Sequence, residues 1–153
     1  WDRDQVYLCG LLANFGQLLL VRHYPHGMQQ VLAQAPPPDT LIELQNEDIG
    51  MHQGHAGALI GRHWPLPDIV VAVMQFAWSP GYRGEHWELA RVVGLISAML
   101  LEYQNSGEIP EACPELSELL ALDPDDAAAQ LNLLPNLYPD LEGVAGHMAG
   151  SHG

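Results

Sequence analysis

The side chains of this sequence that could do chemistry are eight histidines, two cysteines and 19 carboxylates. His52 and His55 are three apart and share a face if their segment is helical, and His63 lies two turns beyond His55. Two imidazoles at that spacing make half of a metal site, but no carboxylate or thiolate stands at ligand spacing to complete it. We read them as surface or helix-end histidines in a glycine-rich stretch. His86, between Glu85 and Glu88, has an acidic surround but no partner at ligand spacing, and His23 and His26 flank a turn at Pro25. Ser79, Ser97 and Ser106 lack the G-x-S-x-G setting of a nucleophile elbow, and neither Cys9 nor Cys113 has a basic neighbour to lower its pKa. With no lysine in the chain, a phosphate-cradling loop ending in Lys-Ser/Thr is excluded. Asp125-Asp126 falls at a helix start, where two carboxylates stabilise the dipole. No catalytic residue, metal ligand or cofactor is assigned.

The elements that would position these groups all read as helices. Asp2 or Asp4 can cap a first helix to about Leu20, whose apolar residues Val6, Leu8, Leu11, Leu12, Phe15, Leu18 and Leu19 demand burial on more than one side. Gly10 and Gly16 inside it are explained by close approach of a neighbouring helix or by a local turn. A short helix follows Pro25 and ends before Pro36-Pro37-Pro38. Thr40 with Glu43 fits a capping box for the next helix, and Met51 to His63 forms another, with small residues at Gly54, Gly57, Ala58 and Gly61. Pro67 and Asp68 start a helix through Val70, Val73, Met74 and Phe76, although its β-branched content makes a strand the competing reading. Trp87 to Tyr103 has the clearest 3.6-residue periodicity, and Pro114–Leu120, Pro124–Leu134 and Pro139–Met148 read as short helices with proline near their starts. Residues 149–153 read as a frayed tail.

Two blocks carry a family resemblance. The first is Tyr7 to Leu20, with Ala13-Asn14 at its centre. The second runs from Gly50 through Gly57, Ala58, Trp64, Leu66, Pro67, Val70, Val73 and Met74 to Ser79-Pro80. Together they resemble the HDOD domain, a signalling relative of the HD metal-dependent phosphohydrolases, over roughly residues 5 to 100. The resemblance implies an all-α, HD-like helical bundle with short C-terminal helices: one domain, residues 1–104 forming the core and 105–153 an extension. It also implies that the metal positions are vacated. Ala13-Asn14 stand for the His-Asp pair, Gln53 for a histidine, Ala77-Trp78 for a His-His pair, and Gly94 and Ser97 for a further His and Asp. Alanine has no donor atom, and neutral asparagine is a poor substitute for a carboxylate. In family terms the chain, which begins at Trp1, corresponds to the C-terminal half of the domain.

The formal net charge of −14 disfavours nucleic acid and anionic lipid as partners, and no apolar run approaches the ~20 residues that span a bilayer. Cys9 and Cys113 show no C-x-x-C spacing, so a reducing cytoplasm is expected. Trp64, Trp78, Tyr82 and Trp87 gather around two loops as candidate partner-binding anchors, with Trp78 also able to fill the volume of a lost metal cluster. The expectation is a non-catalytic regulatory or scaffold module of bacterial signal transduction, working through protein partners or adjacent signalling domains. A homodimer is among the expected assemblies, because the Val6 to Leu20 helix is apolar over much of its circumference. The rival readings are a divergent phosphohydrolase built on His52, His55 and His86, and a small-ligand sensor in the vacated pocket.

Overall fold

A computed structural model describes residues 1–133 and 135–136. The described residues form α-helices and no strand, α1 Arg3–Leu12, α2 Phe15–His23, α3 Pro25–Ala33, α4 Pro38–Ile49, α5 Gln53–His63, α6 Asp68–Phe76, α7 Trp87–Ser106, α8 Pro114–Leu120 and α9 Pro124–Leu131. The chain divides into two compact units, Trp1–Ser106 and a second beginning at Gly107. The expected helix Pro139–Met148 and the expected tail lie outside the described residues.

In the first unit α5 packs against both α2 and α6, and α7 packs on α6. Its principal core joins Cys9 of α1 to Val70, Val73 and Met74 of α6 and to Leu89, Ala90 and Val93 of α7. A smaller cluster of Leu20, Met28 and Ala56 ties α2, α3 and α5 together. The β-branched segment after Pro67 is helical: Pro67 takes an extended N-cap geometry and Val70, Val73 and Met74 form one fully buried stripe, so burial overrides the strand propensity. In the second unit α8 and α9 each begin on proline, with Ser117 and Ala127 as their buried residues.

Four expectations are corrected. The helix from Asp4 to Leu20 is two helices, broken at Ala13-Asn14. The cause is tertiary: Gly16 sits so close to the backbone of Gln53 and Gly57 that a Cβ there would overlap the Gln53 carbonyl oxygen, and the chain turns to allow it. Gly10, by contrast, has nothing within 4 Å of where a Cβ would sit, and Tyr7, Leu11 and Leu18 are more than 60% exposed, so this apolar stretch is not covered all round. Taken by length and composition, Arg3–His23 is apolar enough to cross a membrane, contrary to the reading that no run approaches that length. Finally, Thr40 is not a cap, since α4 starts at Pro38 behind an extended Pro37.

Candidate functional site

The break between α1 and α2 sets up the site. Ala13 ends α1, its N–H donating to the Cys9 carbonyl at 2.9 Å, and its methyl is buried in the core. Asn14 follows with φ −100° and ψ 8°, so its side chain leaves the helix line and caps no N–H of α2. There Asn14 Oδ1 accepts a hydrogen bond from Trp78 Nε1 at 3.3 Å. Trp78 is placed by the end of α6, where Ala77 is the C-cap and is itself only 3% exposed. The backbone of α7 presses against this end, because a Cβ at Gly94 would run into the Ala77 carbonyl oxygen.

One turn beyond Gly94, Ser97 opens onto a recess of about 160 Å³ whose polar lining is Asn14, Gln17, Trp78, Ser97 and Gln104, completed by leucines. These are neutral groups: three carboxamides, an indole N–H and a hydroxyl. The structure thus brings Asn14, Trp78 and Ser97 to one recess, with Ala13 and Ala77 in the core directly behind Asn14 and Trp78. Gln53 is not in its lining. It is fully buried at the start of α5, where its N–H donates to Gln45 Oε1 at 2.9 Å and its Oε1 accepts from Gln45 Nε2 at 3.1 Å. The Nε2 of Gln53 is left without a hydrogen-bond partner.

Reading the sequence missed Gln17, Gln45 and Gln104. Two of them had a signal: Gln17 is one turn past Asn14, and Gln104 is seven past Ser97 on the α7 stripe that also carries Leu100 and Leu101. Gln45 had none, since its pairing with Gln53 depends on how α4 meets α5.

The four aromatic residues do not form one anchor. Trp64 packs on Phe15 with ring centroids 5.3 Å apart and is the only exposed member, at 47%. Tyr82 stacks on Phe76 at 3.7 Å and donates its hydroxyl to the Glu85 carbonyl, while Arg83 lies 4.8 Å above the Trp87 ring. Of the histidines, His52 caps α5 by accepting from the Gly54 N–H at 3.1 Å, and its ring lies 4.2 Å from that of His55. Burial first, and then the neighbouring His55, hold the His52 pKa below the ordinary imidazole range. His86 is on another element, 3.6 Å from the Glu85 carboxylate. Among the described residues no three His, Cys, Asp or Glu side chains gather to hold a metal.

The model of the HDOD domain matches residues 2–80. A protein of Treponema pallidum (strain Nichols), named only as uncharacterized, is 25% identical over 85 residues, which are 54% of this chain and 16% of that protein. The crystal structure of a candidate signal transduction protein from Marinobacter aquaeolei VT8 superposes with a TM-score of 0.76 at 26% identity, covering 95% of this chain and 33% of that one. The chain therefore spans well under half the length of both relatives. A helical bundle broken at Ala13-Asn14, closed by the α6–α7 contact and matched over more than half its residues by the family model, belongs to the HDOD domain family.

Proposed function

We propose that this chain is a non-catalytic regulatory or scaffold module of bacterial signal transduction, acting in the cytoplasm through contacts with protein partners or adjacent signalling domains. Its residues 1–104 would be the HD-like core of the C-terminal part of an HDOD domain. The observation that carries the reading is the Trp78–Asn14 hydrogen bond, made where the phosphohydrolase relatives of this family place metal ligands. The donor set there argues against a metal. Ala13 and Ala77 offer no ligand atom and are buried in an apolar core, Asn14 Oδ1 is engaged by an indole N–H, and Gln53 is turned to Gln45. The rival phosphohydrolase would need His52, His55 and His86. His52 spends its Nδ1 on the Gly54 N–H, and the carboxylate beside His86, at 3.6 Å, is that of its own neighbour Glu85.

The test is elemental analysis of the purified chain together with assays on generic phosphodiesters and nucleotides. The expected result is no stoichiometric transition metal and no hydrolysis. About one or two iron, manganese or zinc ions per chain, lost on His52→Ala or His55→Ala, would overturn the reading. The neutral, polar recess of about 160 Å³ favours one second reading, a sensor for a small uncharged ligand. A ligand-induced rise in melting temperature that Ser97→Leu abolishes would support it.

A further inference from the structure

The acidic residues of this chain are unevenly placed. All 19 lie outside residues 5–38 and 49–67, yet those two stretches hold two of the five arginines and five of the eight histidines. They supply α2, α3 and α5 and most of α1, and on the surface where α2 meets α5 lies an apolar groove of about 380 Å³. Leu19, Leu20, Leu59 and Ile60 line it, with His23 and Tyr24 at one end. Leu59 is 58% exposed and Tyr24 50%, so the groove is open to water. Helical spacing puts His63 one turn beyond Ile60, His55 one turn before Leu59 and Arg22 one turn beyond Leu19, and all three are exposed. In a molecule of net charge −14, this is an apolar face with a basic and imidazole rim and no carboxylate on either of its helices.

We propose that this groove seats an amphipathic helix of a protein partner whose polar face is acidic. The proposal rests on the reading of the chain as a module that works by protein contact, and it names the chemistry of the partner. A trough between two packed helices accepts the apolar stripe of a third, and the described residues offer no strand edge that an extended segment could join. Charge complementarity selects the acidic polar face. Acidic side chains flanking the apolar anchors meet Arg22 and the rim histidines here, whereas the rest of the chain sets all 19 carboxylates against three arginines. A membrane surface is a poorer occupant, because a plane of anionic headgroups faces the negative field of the whole domain, while an inserted helix faces only the groove. A second copy would bring its own charge of −14 to the interface.

The experiment measures anisotropy of two labelled helical peptides added to the whole 153-residue chain. Both carry leucine at i, i+3, i+4 and i+7, one with glutamate and the other with lysine at the remaining positions. The glutamate peptide should bind, and Leu59→Glu and Arg22→Glu should each weaken it about tenfold. Ile96→Glu, on the exposed side of α7, should leave it unchanged. Leu59 and Arg22 are both exposed, and an unaltered circular dichroism melt confirms that the variants fold. The proposal is overturned if the glutamate peptide does not bind, if Ile96→Glu weakens it equally, or if only the lysine peptide responds to Leu59→Glu. It is also overturned if phosphatidylglycerol vesicles bind in its place, or if light scattering shows a dimer that Leu59→Glu dissociates. Phosphodiester hydrolysis with peptide binding intact would overturn the non-catalytic reading and leave this one standing. Absence of both hydrolysis and peptide binding would overturn this one alone.

Discussion

Trp78 and Asn14, 64 positions apart in sequence, are joined by a hydrogen bond from the indole Nε1 to the carboxamide Oδ1. The bond fastens the end of α6 to the break between α1 and α2, and both of its side chains line the recess of about 160 Å³. Because the pair is partly open to water, the bond itself contributes a modest amount. In a double-mutant cycle of Asn14→Ala and Trp78→Phe, the coupling measured by urea unfolding should be about 0.5–1.5 kcal/mol. Strict additivity of the two changes would mean that the two side chains do not meet.

Glycines that look alike in sequence should behave oppositely. A Cβ at Gly16 or Gly94 would overlap a backbone carbonyl oxygen, of Gln53 and Ala77 respectively, and backbone cannot step aside as a side chain can. Gly16→Ala and Gly94→Ala should each destabilise by about 3 kcal/mol or more, toward the upper end of overpacking costs. Gly10→Ala meets nothing within 4 Å and should stabilise by up to about 1 kcal/mol. At Gly57 a methyl would rest at ordinary contact, 3.5 Å from Met74 and 3.6 Å from the Gly16 nitrogen, so alanine is tolerated. Gly57→Leu, on a buried face, should cost a few kcal/mol. Thermal melts of the five variants check the order.

The contrast between these glycines marks what could be read in the sequence. The helix beginning on Pro25, the start at Pro67-Asp68 and the starts at Pro114 and Pro124 were legible, because proline and acidic residues in a first turn act locally. The HDOD resemblance was legible because it rests on fixed spacing, and of the positions it names Asn14, Trp78 and Ser97 line one recess while Gln53 does not. The break at Ala13-Asn14 was not, since its cause is the approach of Gly16 to α5, a contact between residues some forty apart. The exposure of Tyr7, Leu11 and Leu18 was also hidden: periodicity says which residues are apolar, not how much of a helix its neighbours cover. Nor could the pairing of Gln53 with Gln45 be foreseen from a position defined only as a lost ligand.

That pair gives the third prediction. Gln45→Ala removes both partners of Gln53 at once, leaving a buried N–H and a buried carboxamide unsatisfied. Each orphaned group costs about 1–3 kcal/mol, so the variant should lose several kcal/mol, more than the packing lost with one side chain would explain. Gln45→Glu keeps the acceptor for the Gln53 N–H but sets a second carboxylate oxygen against Gln53 Oε1, so the Gln53 carboxamide must flip to turn its unpartnered Nε2 toward the new acceptor, and the substitution buries a charge. A melting temperature for Gln45→Glu that falls as pH rises from 5 to 8 would identify that charge as the cost.

Mild acid should weaken the start of α5. Burial and His55 lower the pKa of His52 in the folded chain, so the fold favours the neutral ring, whose Nδ1 accepts the Gly54 N–H. The sign follows: this contribution is present above the ordinary imidazole value of 6.5 and is lost as pH falls below it. Going from pH 7 to pH 5 should lower the melting temperature, and His52→Asn, which keeps a capping acceptor without the titration, should flatten that dependence. An equal slope in both proteins would place the acid sensitivity elsewhere.

The two thiols should separate cleanly. Cys9 is fully buried at the heart of the α1–α6–α7 core, and burial pushes its pKa up to about 11, whereas Cys113 is only partly covered. Since the thiolate is the nucleophile, a disulfide reagent at pH 8 should modify one thiol per native chain and two in denaturant, and Cys113→Ser should abolish the native reaction. The same shift makes alkali destabilising. An unfolded cysteine ionises near 9.0 while the folded one holds its proton to about 11, so between those values the unfolded state gains from ionisation and stability falls. Cys9→Ala removes that alkaline loss but leaves a small cavity beside Val70 and Leu89, so at neutral pH it should be the less stable protein by about 1 kcal/mol. If Cys9 reacts as fast as Cys113 in the native chain, α1 opens from α6 readily, and the core described here is not the resting state.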